Sequence, residues 1–268
     1  MMHRLEIIFI YILRFACFLN ACNGYSSTLE FMHSLSDETQ VKSDNFDIEY
    51  VKKKYESSLF NHEFIFYPAQ HAKKLIIVFS YHSPNLYALW SWFWRKDEDW
   101  QDTAYLFIKD KESAWYVGFH GKSTIQDFSN IINHIIEKTG VSKNHVFTVG
   151  TSMGGYGAIL YATILELKGA IADVPQIDFE TWKKYFIGFT LGVNFIDLIS
   201  LLNKSTYVPA ICLHYGNYVA DYTSAHQLIE LLKYKGSLFL IDRRIIDKHQ
   251  VFITKAIIDA EINFMDNF

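Results

Sequence analysis

Gly150-Thr151-Ser152-Met153-Gly154 carries the pattern G-x-S-x-G, between an apolar stretch of strand character and a small-residue stretch of helical character. On a sharp strand-to-helix turn a serine has its hydroxyl aimed outward, and flanking glycines let strand and helix approach each other. The start of the following helix favours negative charge nearby. Such a serine is suited to attack a carbonyl carbon, provided one group takes its proton and another orients that base. The bland alternative is a glycine-rich turn with an incidental serine.

Three histidines follow Ser152: His214, His226 and His249. His249 lies in Asp247-Lys248-His249-Gln250, between the last predicted strand and the last predicted helix, where the base is expected. His214 ends a predicted strand and His226 falls inside a helical pattern, so both read as structural. In the chain order serine, acid, histidine, Asp221 is the only carboxylate from His214 to Ser224 and is the expected acid. A helix N-cap is its structural alternative, and its spacing from Gly216 is two residues longer than the commonest G-x-x-D pattern. Asp247 is a weaker rival, because two residues leave little room for the geometry. The oxyanion formed in such a reaction needs backbone N–H donors. Met153, directly after the serine, is one; Ser80 or Tyr81, after the preceding apolar strand, is the other.

These side chains need a frame. Apolar runs at residues 74–80, 104–108, 145–150, 169–172, 209–214 and 237–241 read as strands. Helical spacing covers 123–138, 154–167, 224–233 and 251–264. Strands and helices alternating at this spacing predict an α/β domain with a mainly parallel central sheet flanked by helices. Ligands then bind beyond the carboxyl ends of the strands. Residues 178–206 fit a small helical cap, a lid that would exclude water.

The strand and turn Ile76-Ile77-Val78-Phe79-Ser80, the elbow Gly150 to Gly155 with Gly157-Ala158, the step Val174-Pro175-Gln176 and the late Asp221 and His249 together resemble the α/β-hydrolase superfamily, over about residues 60–265. More narrowly, the sequence resembles bacterial capsule-biosynthesis proteins of that fold, which include serine-dependent capsule O-acetyltransferases. The resemblance implies transfer of an acetyl group to a sugar hydroxyl through an acyl-serine. Acetyl-CoA would be the co-substrate, with no bound cofactor. A polysaccharide is the implied acceptor, and other capsule-synthesis enzymes are implied partners. Ser152, Asp221 and His249 carry over as the triad. A carboxylesterase or polysaccharide deacetylase would use the same residues, and an accessory protein could keep the fold without catalysis.

Composition narrows the choice further. The 268 residues are 50% hydrophobic and 20% charged, which excludes a disordered chain. A net charge of -4 argues against a general nucleic-acid binder. Three cysteines, Cys17, Cys22 and Cys212, make neither a disulfide framework nor a zinc site. His71, His82, His120 and His134 lack metal-ligand spacing, so no metal is expected. Aromatics reach 17%; Trp90 and Trp94, in the segment 87–94, and Trp115 are candidates to stack on a sugar ring, against the alternative of packing in the core.

Residues 1–31 read as a leader or signal-like segment, with residues 32–268 as the α/β-hydrolase domain. Leu19-Asn20-Ala21-Cys22 resembles a lipoprotein cleavage box. Glu6 and Arg14 interrupt the apolar stretch, which is too short to span a bilayer. A cytoplasmic protein is expected, with export or lipid anchoring as the alternative if residues 1–22 act as a signal.

Overall fold

The structure is a computed structural model that describes residues 47–268 apart from 84, 96–97 and 186–191, and not the side chains of 183–185. The leader-like segment 1–31 lies outside the described residues.

Four apolar runs set the centre of the fold. β3 (Lys74–Phe79), β4 (Thr103–Ile108), β5 (Val146–Thr151) and β6 (Gly169–Asp173) are buried at almost every position. Strands apolar on both faces must be covered on both faces, so they occupy the middle of a sheet with helices on either side. The sheet has eight strands in the order β1-β2-β4-β3-β5-β6-β7-β8. β1 (Glu56–Leu59) and β2 (His62–Tyr67) form an antiparallel hairpin at one edge. β2 runs antiparallel to β4, and from β4 to β8 every pairing is parallel, through β7 (Ala210–Tyr215) and β8 (Phe239–Arg243).

The helices among the described residues are α1 (Ile48–Tyr55), α2 (Ile125–Thr139), α3 (Met153–Ile164), α4 (Phe179–Tyr185), α5 (Leu198–Lys204), α6 (Val219–Lys235) and α7 (Lys255–Asp266). α2 buries Phe128, Ile131, Ile132 and Ile135 on one side and stops at Gly140, whose φ of 68° suits a left-handed cap. α3 is buried from Met153 to Thr163, so its sequence shows no polar face. Its ring of Tyr161 stacks on Phe79 of β3 at 5.3 Å. Each fully buried side chain of this size contributes about 1.5–3 kcal/mol.

The mostly parallel sheet expected from the sequence is present, with differences in detail. α6 begins at Val219, five residues earlier than the helical spacing suggested, and takes Asp221 into its first turn. α1 and the β1–β2 hairpin precede the predicted elements. The aromatic segment 87–94 forms only a short 3-10 turn, Trp90–Phe93, because Leu89 before it adopts a left-handed backbone with φ of 57°. Segment 178–206 holds the short helices α4 and α5, between β6 and β7. Because β5 to β8 are parallel, the segments following all four strands leave from the same edge of the sheet.

Candidate active site

Ser152 sits at the junction of β5 and α3 with φ 58° and ψ -119°, a backbone that side-chain-bearing residues rarely adopt. Its N–H donates to the Asp173 carbonyl at 2.8 Å, and its own carbonyl accepts from Tyr156 N–H at 3.1 Å. The glycines around it have a steric reason. A Cβ on Gly150 would run into the backbone of Gly154, and one on Gly154 into the carbonyl of Phe79. The turn closes because these positions carry no side chain.

His249 Nε2 lies 2.9 Å from Ser152 Oγ, and His249 Nδ1 lies 2.8 Å from Asp221 Oδ1. A carboxylate only accepts, so Nδ1–H donates to Asp221 and Nε2 is left to accept the serine proton. The Asp221 side chain is fully buried and that of His249 is 18% exposed. Burial raises the Asp221 pKa above its ordinary value, and the bond from His249 opposes that rise. Asp221 caps no helix with its side chain: Tyr218 occupies the cap of α6, without a side-chain bond. Asp247 is exposed. His226 packs on Tyr222, ring centroids 4.0 Å apart. His214 is 1% exposed and paired to Glu261 at 2.9 Å, with Asp242 at 3.4 Å. Burial disfavours the charged imidazole of His214, but those carboxylates outweigh it and raise the pKa to about 9.

The acid loop and the histidine loop are tied together. Asn217 N–H donates to Ile246 O at 2.7 Å, and Arg244 N–H to Tyr215 O at 2.8 Å. The Arg243 guanidinium reaches Asn217 Oδ1 at 2.8 Å. A Cβ on Gly216 would collide with the Ile246 carbonyl, so the close approach needs glycine there.

Asp173, at the end of β6, was not singled out in the sequence, yet its carboxylate joins the serine turn to the histidine loop. Oδ2 accepts from Thr151 Oγ1 at 3.0 Å, and Oδ1 accepts from Phe252 N–H at 3.2 Å. Burial pushes its pKa up to about 7, against the pull of the positive His214, of these two hydrogen bonds and of His249.

Of the expected oxyanion donors, Met153 N–H opens α3, where the helix offers it no acceptor. Ser80 is excluded as the second donor, because its N–H is spent on the Ile108 carbonyl at 3.0 Å. Ser80 instead anchors the loop after β3: its Oγ accepts from Ala88 N–H and its carbonyl from Tyr116 O–H. Tyr81 N–H has no acceptor among the described residues, and Tyr81 lines the cavity over Ser152.

That cavity, of about 490 Å³, is bounded by Tyr81, His82, Trp115, Gln176, His249 and Val251, among others. Trp115 therefore lines the cavity over Ser152. Trp90 and Trp94 do not line it. Trp94 packs at 5.8–6.0 Å centroid distances on Tyr67, Tyr55, Trp100 and Tyr50, and the Trp90 carbonyl accepts from Tyr67 O–H. The left-handed Leu89 redirects the chain toward β2 and β4, where Phe93 stacks on Tyr105 at 4.6 Å.

Trp115 belongs to a second strained turn. Ser113, Trp115 and Tyr116 have φ of 52°, 53° and 61°. The buried Asp110 holds them: Oδ2 accepts from Ala114 N–H at 2.7 Å and Tyr116 N–H at 2.8 Å, and Oδ1 from Glu112 N–H at 3.1 Å. The segment between β6 and β7 flanks the site at two points, Trp182 against His249 at 4.9 Å and Phe195 against Trp115 at 6.5 Å. Among the described residues no group of three His, Cys, Asp or Glu side chains could hold a metal. No helix among them is long and apolar enough to cross a membrane.

No protein-family model matches the chain, and no curated protein matches it in sequence. Solved structures do. The capsule O-acetyltransferase of Neisseria meningitidis serogroup A is 17% identical, with a TM-score of 0.57 over 78% of this chain and 90% of that one. One structure of a mutant of that acetyltransferase is a complex with CoA. The fluorophosphonate-binding serine hydrolase F of Staphylococcus aureus is 18% identical, with a TM-score of 0.57 over 77% and 92%. An S-formylglutathione hydrolase from Agrobacterium tumefaciens is 13% identical, with a TM-score of 0.59 over 80% and 93%. The chain has the α/β-hydrolase fold.

Proposed function

We propose that this chain is a serine-dependent acyl-transfer enzyme that moves an acetyl group from acetyl-CoA to a hydroxyl of a bacterial surface polysaccharide. One observation carries the reading: Ser152, His249 and Asp221 form an unbroken hydrogen-bonded run, 2.9 and 2.8 Å, beginning at a strained strand-to-helix turn. Ser152 Oγ attacks the thioester carbonyl while its proton passes to His249 Nε2. The oxyanion takes hydrogen bonds from Met153 and Tyr81 N–H. As the C–S bond breaks, the thiol leaves with the proton from His249. An acceptor hydroxyl then attacks the acyl-serine, giving its proton to His249. Ser152 recovers that proton when the new ester departs. Asp221 holds Nδ1–H throughout and offsets the charge of the imidazolium.

Likeness to a capsule O-acetyltransferase, a mutant of which has been solved in complex with CoA, supports the acetyl donor and the polysaccharide acceptor. Other capsule-synthesis enzymes as partners belong to the same reading. So does a cap role for 178–206, supported by Trp182 against His249 and Phe195 against Trp115. A second reading, ester hydrolysis with water as acceptor, uses the same residues and is favoured by the likeness to an S-formylglutathione hydrolase.

A fluorophosphonate probe tests the shared core. It should label the protein and fail on Ser152→Ala, whose p-nitrophenyl acetate turnover should fall by at least about 10⁴-fold. An unlabelled wild type would leave a non-catalytic accessory protein. Acetyl-CoA consumption that rises with added glycan selects transfer; consumption indifferent to any acceptor selects hydrolysis.

A further inference from the structure

Gln176 presents a polar group that nothing in the triad chemistry uses. It is 4% exposed, yet it lines the cavity over Ser152. Trp115 Nε1–H donates to its Oε1 at 2.6 Å. An indole N–H can only donate, so this bond fixes which end of the amide faces Trp115. Gln176 Nε2 is thereby left as a two-proton donor without a partner among the described residues. That donor opens onto the cavity, where water serves it in the free enzyme and a substrate oxygen can take the place of that water. The rest of the wall, Tyr81, His82, Thr151, Val174, Gln250 and Val251, carries no ammonium, guanidinium or carboxylate group. The volume, about 490 Å³, falls in the range of small-ligand sites.

We infer that Gln176 is the specificity-determining donor of an acceptor subsite. Its Nε2 donates to an oxygen of a neutral, hydroxyl-rich acceptor while another hydroxyl of that molecule attacks the acyl-serine. Trp115 holds the amide in the donating orientation, and Asp110 holds Trp115. The inference rests on the acyl-serine chemistry proposed above and adds the recognition of the second substrate. The reaction stays balanced: the attacking hydroxyl loses its proton to His249 Nε2, Ser152 Oγ regains it, and the Gln176 hydrogen bond transfers nothing.

The experiment uses the full chain acylated by p-nitrophenyl acetate, with methyl α-D-glucopyranoside and ethanol competing as acceptors. Both esters come from one acyl-enzyme, so their ratio is independent of how fast each variant acylates. Wild type should favour the glucoside. Gln176→Leu should lower the glucoside-to-ethanol ratio by about tenfold, the worth of one hydrogen bond. Gln176→Glu should lower it as much, because a carboxylate still accepts from Trp115 but donates nothing. If the amide merely braced Trp115, Gln176→Glu would keep the wild-type ratio, and that result overturns the inference. A wild type without preference for the glucoside overturns it as well. Release of p-nitrophenol by wild type separates the two ideas: release with an unchanged ratio defeats only the Gln176 role, whereas no release at all defeats the acyl-serine reading with it.

Discussion

Two turns at the same edge of the sheet hold side-chain-bearing residues in left-handed backbone, and they do it by opposite means. After β5, Ser152 is accommodated by subtraction: Gly150 and Gly154 have no Cβ where one would strike backbone. After β4, Ser113, Trp115 and Tyr116 are held by addition, through one buried carboxylate that collects three N–H groups. Each such residue costs on the order of 1–3 kcal/mol, so both turns need a compensating constraint. Steric subtraction makes a rigid pivot. A carboxylate clamp makes a platform whose geometry depends on one side chain. The first aims the Ser152 hydroxyl at His249, and the second carries a wall of the cavity.

The sharpest way to break this contrast is to add one methyl group at the pivot. Gly154→Ala should drive Cβ into the Phe79 carbonyl, lower stability by about 3 kcal/mol in urea titration and reduce p-nitrophenyl acetate turnover by about 100-fold. Asp110→Ala should lower stability by about 2 kcal/mol through unpaired N–H groups. Its acylation loss should be smaller than that of Gly154→Ala. Equal losses of acylation would mean that the two turns are one mechanical unit.

Asp173 touches the pivot from the outside, and its effect should be seen in pH. Burial raises its pKa from 3.8 to about 7, so the folded chain holds this proton more tightly than the unfolded chain does. Its contribution to stability is full below about pH 4 and is lost as pH rises through about 7. The groups facing it are Thr151, Phe252 N–H, His214 and His249. Asp173→Asn removes the titration, so the difference in Tm between wild type and variant should change between pH 4 and 7. A difference that stays flat across that window would assign the carboxylate no protonation change there. The smallest expected effect is at Trp94, which packs on Tyr67 and Trp100 away from the cavity. Trp94→Phe should cost about 1 kcal/mol of stability and leave acceptor ratios unchanged.

The same contrast explains what the sequence made legible. Glycines at fixed offsets around Ser152 are a one-dimensional signature of a three-dimensional clash, and strands with nearly continuous apolar runs announce a doubly covered sheet. His249 and Asp221 followed from chain order and topology. Asp110 and Asp173 had no such signature, and Gln176 stood in a motif step without a role, because their partners are donors brought in by folding rather than by spacing. Trp90 and Trp94 misled for a related reason: dense aromatics suit a ligand wall and a packed cluster equally, and one left-handed residue, Leu89, decided between them. The β1–β2 hairpin escaped notice because its outer strand, Glu-Ser-Ser-Leu, has two exposed serines and no apolar run.

The cross-links between the segments after β7 and β8 have an evolutionary consequence. With Asn217 pinned to Ile246 and Gly216 pressed against the same carbonyl, the two segments share one length register. An insertion or deletion in either would slide carboxylate past imidazole, and only a matched change in the other would restore the fit. Homologous variants should therefore exchange these segments as a pair, and chimaeras that graft one alone should keep Ser152 but lose its hydrogen bond to His249.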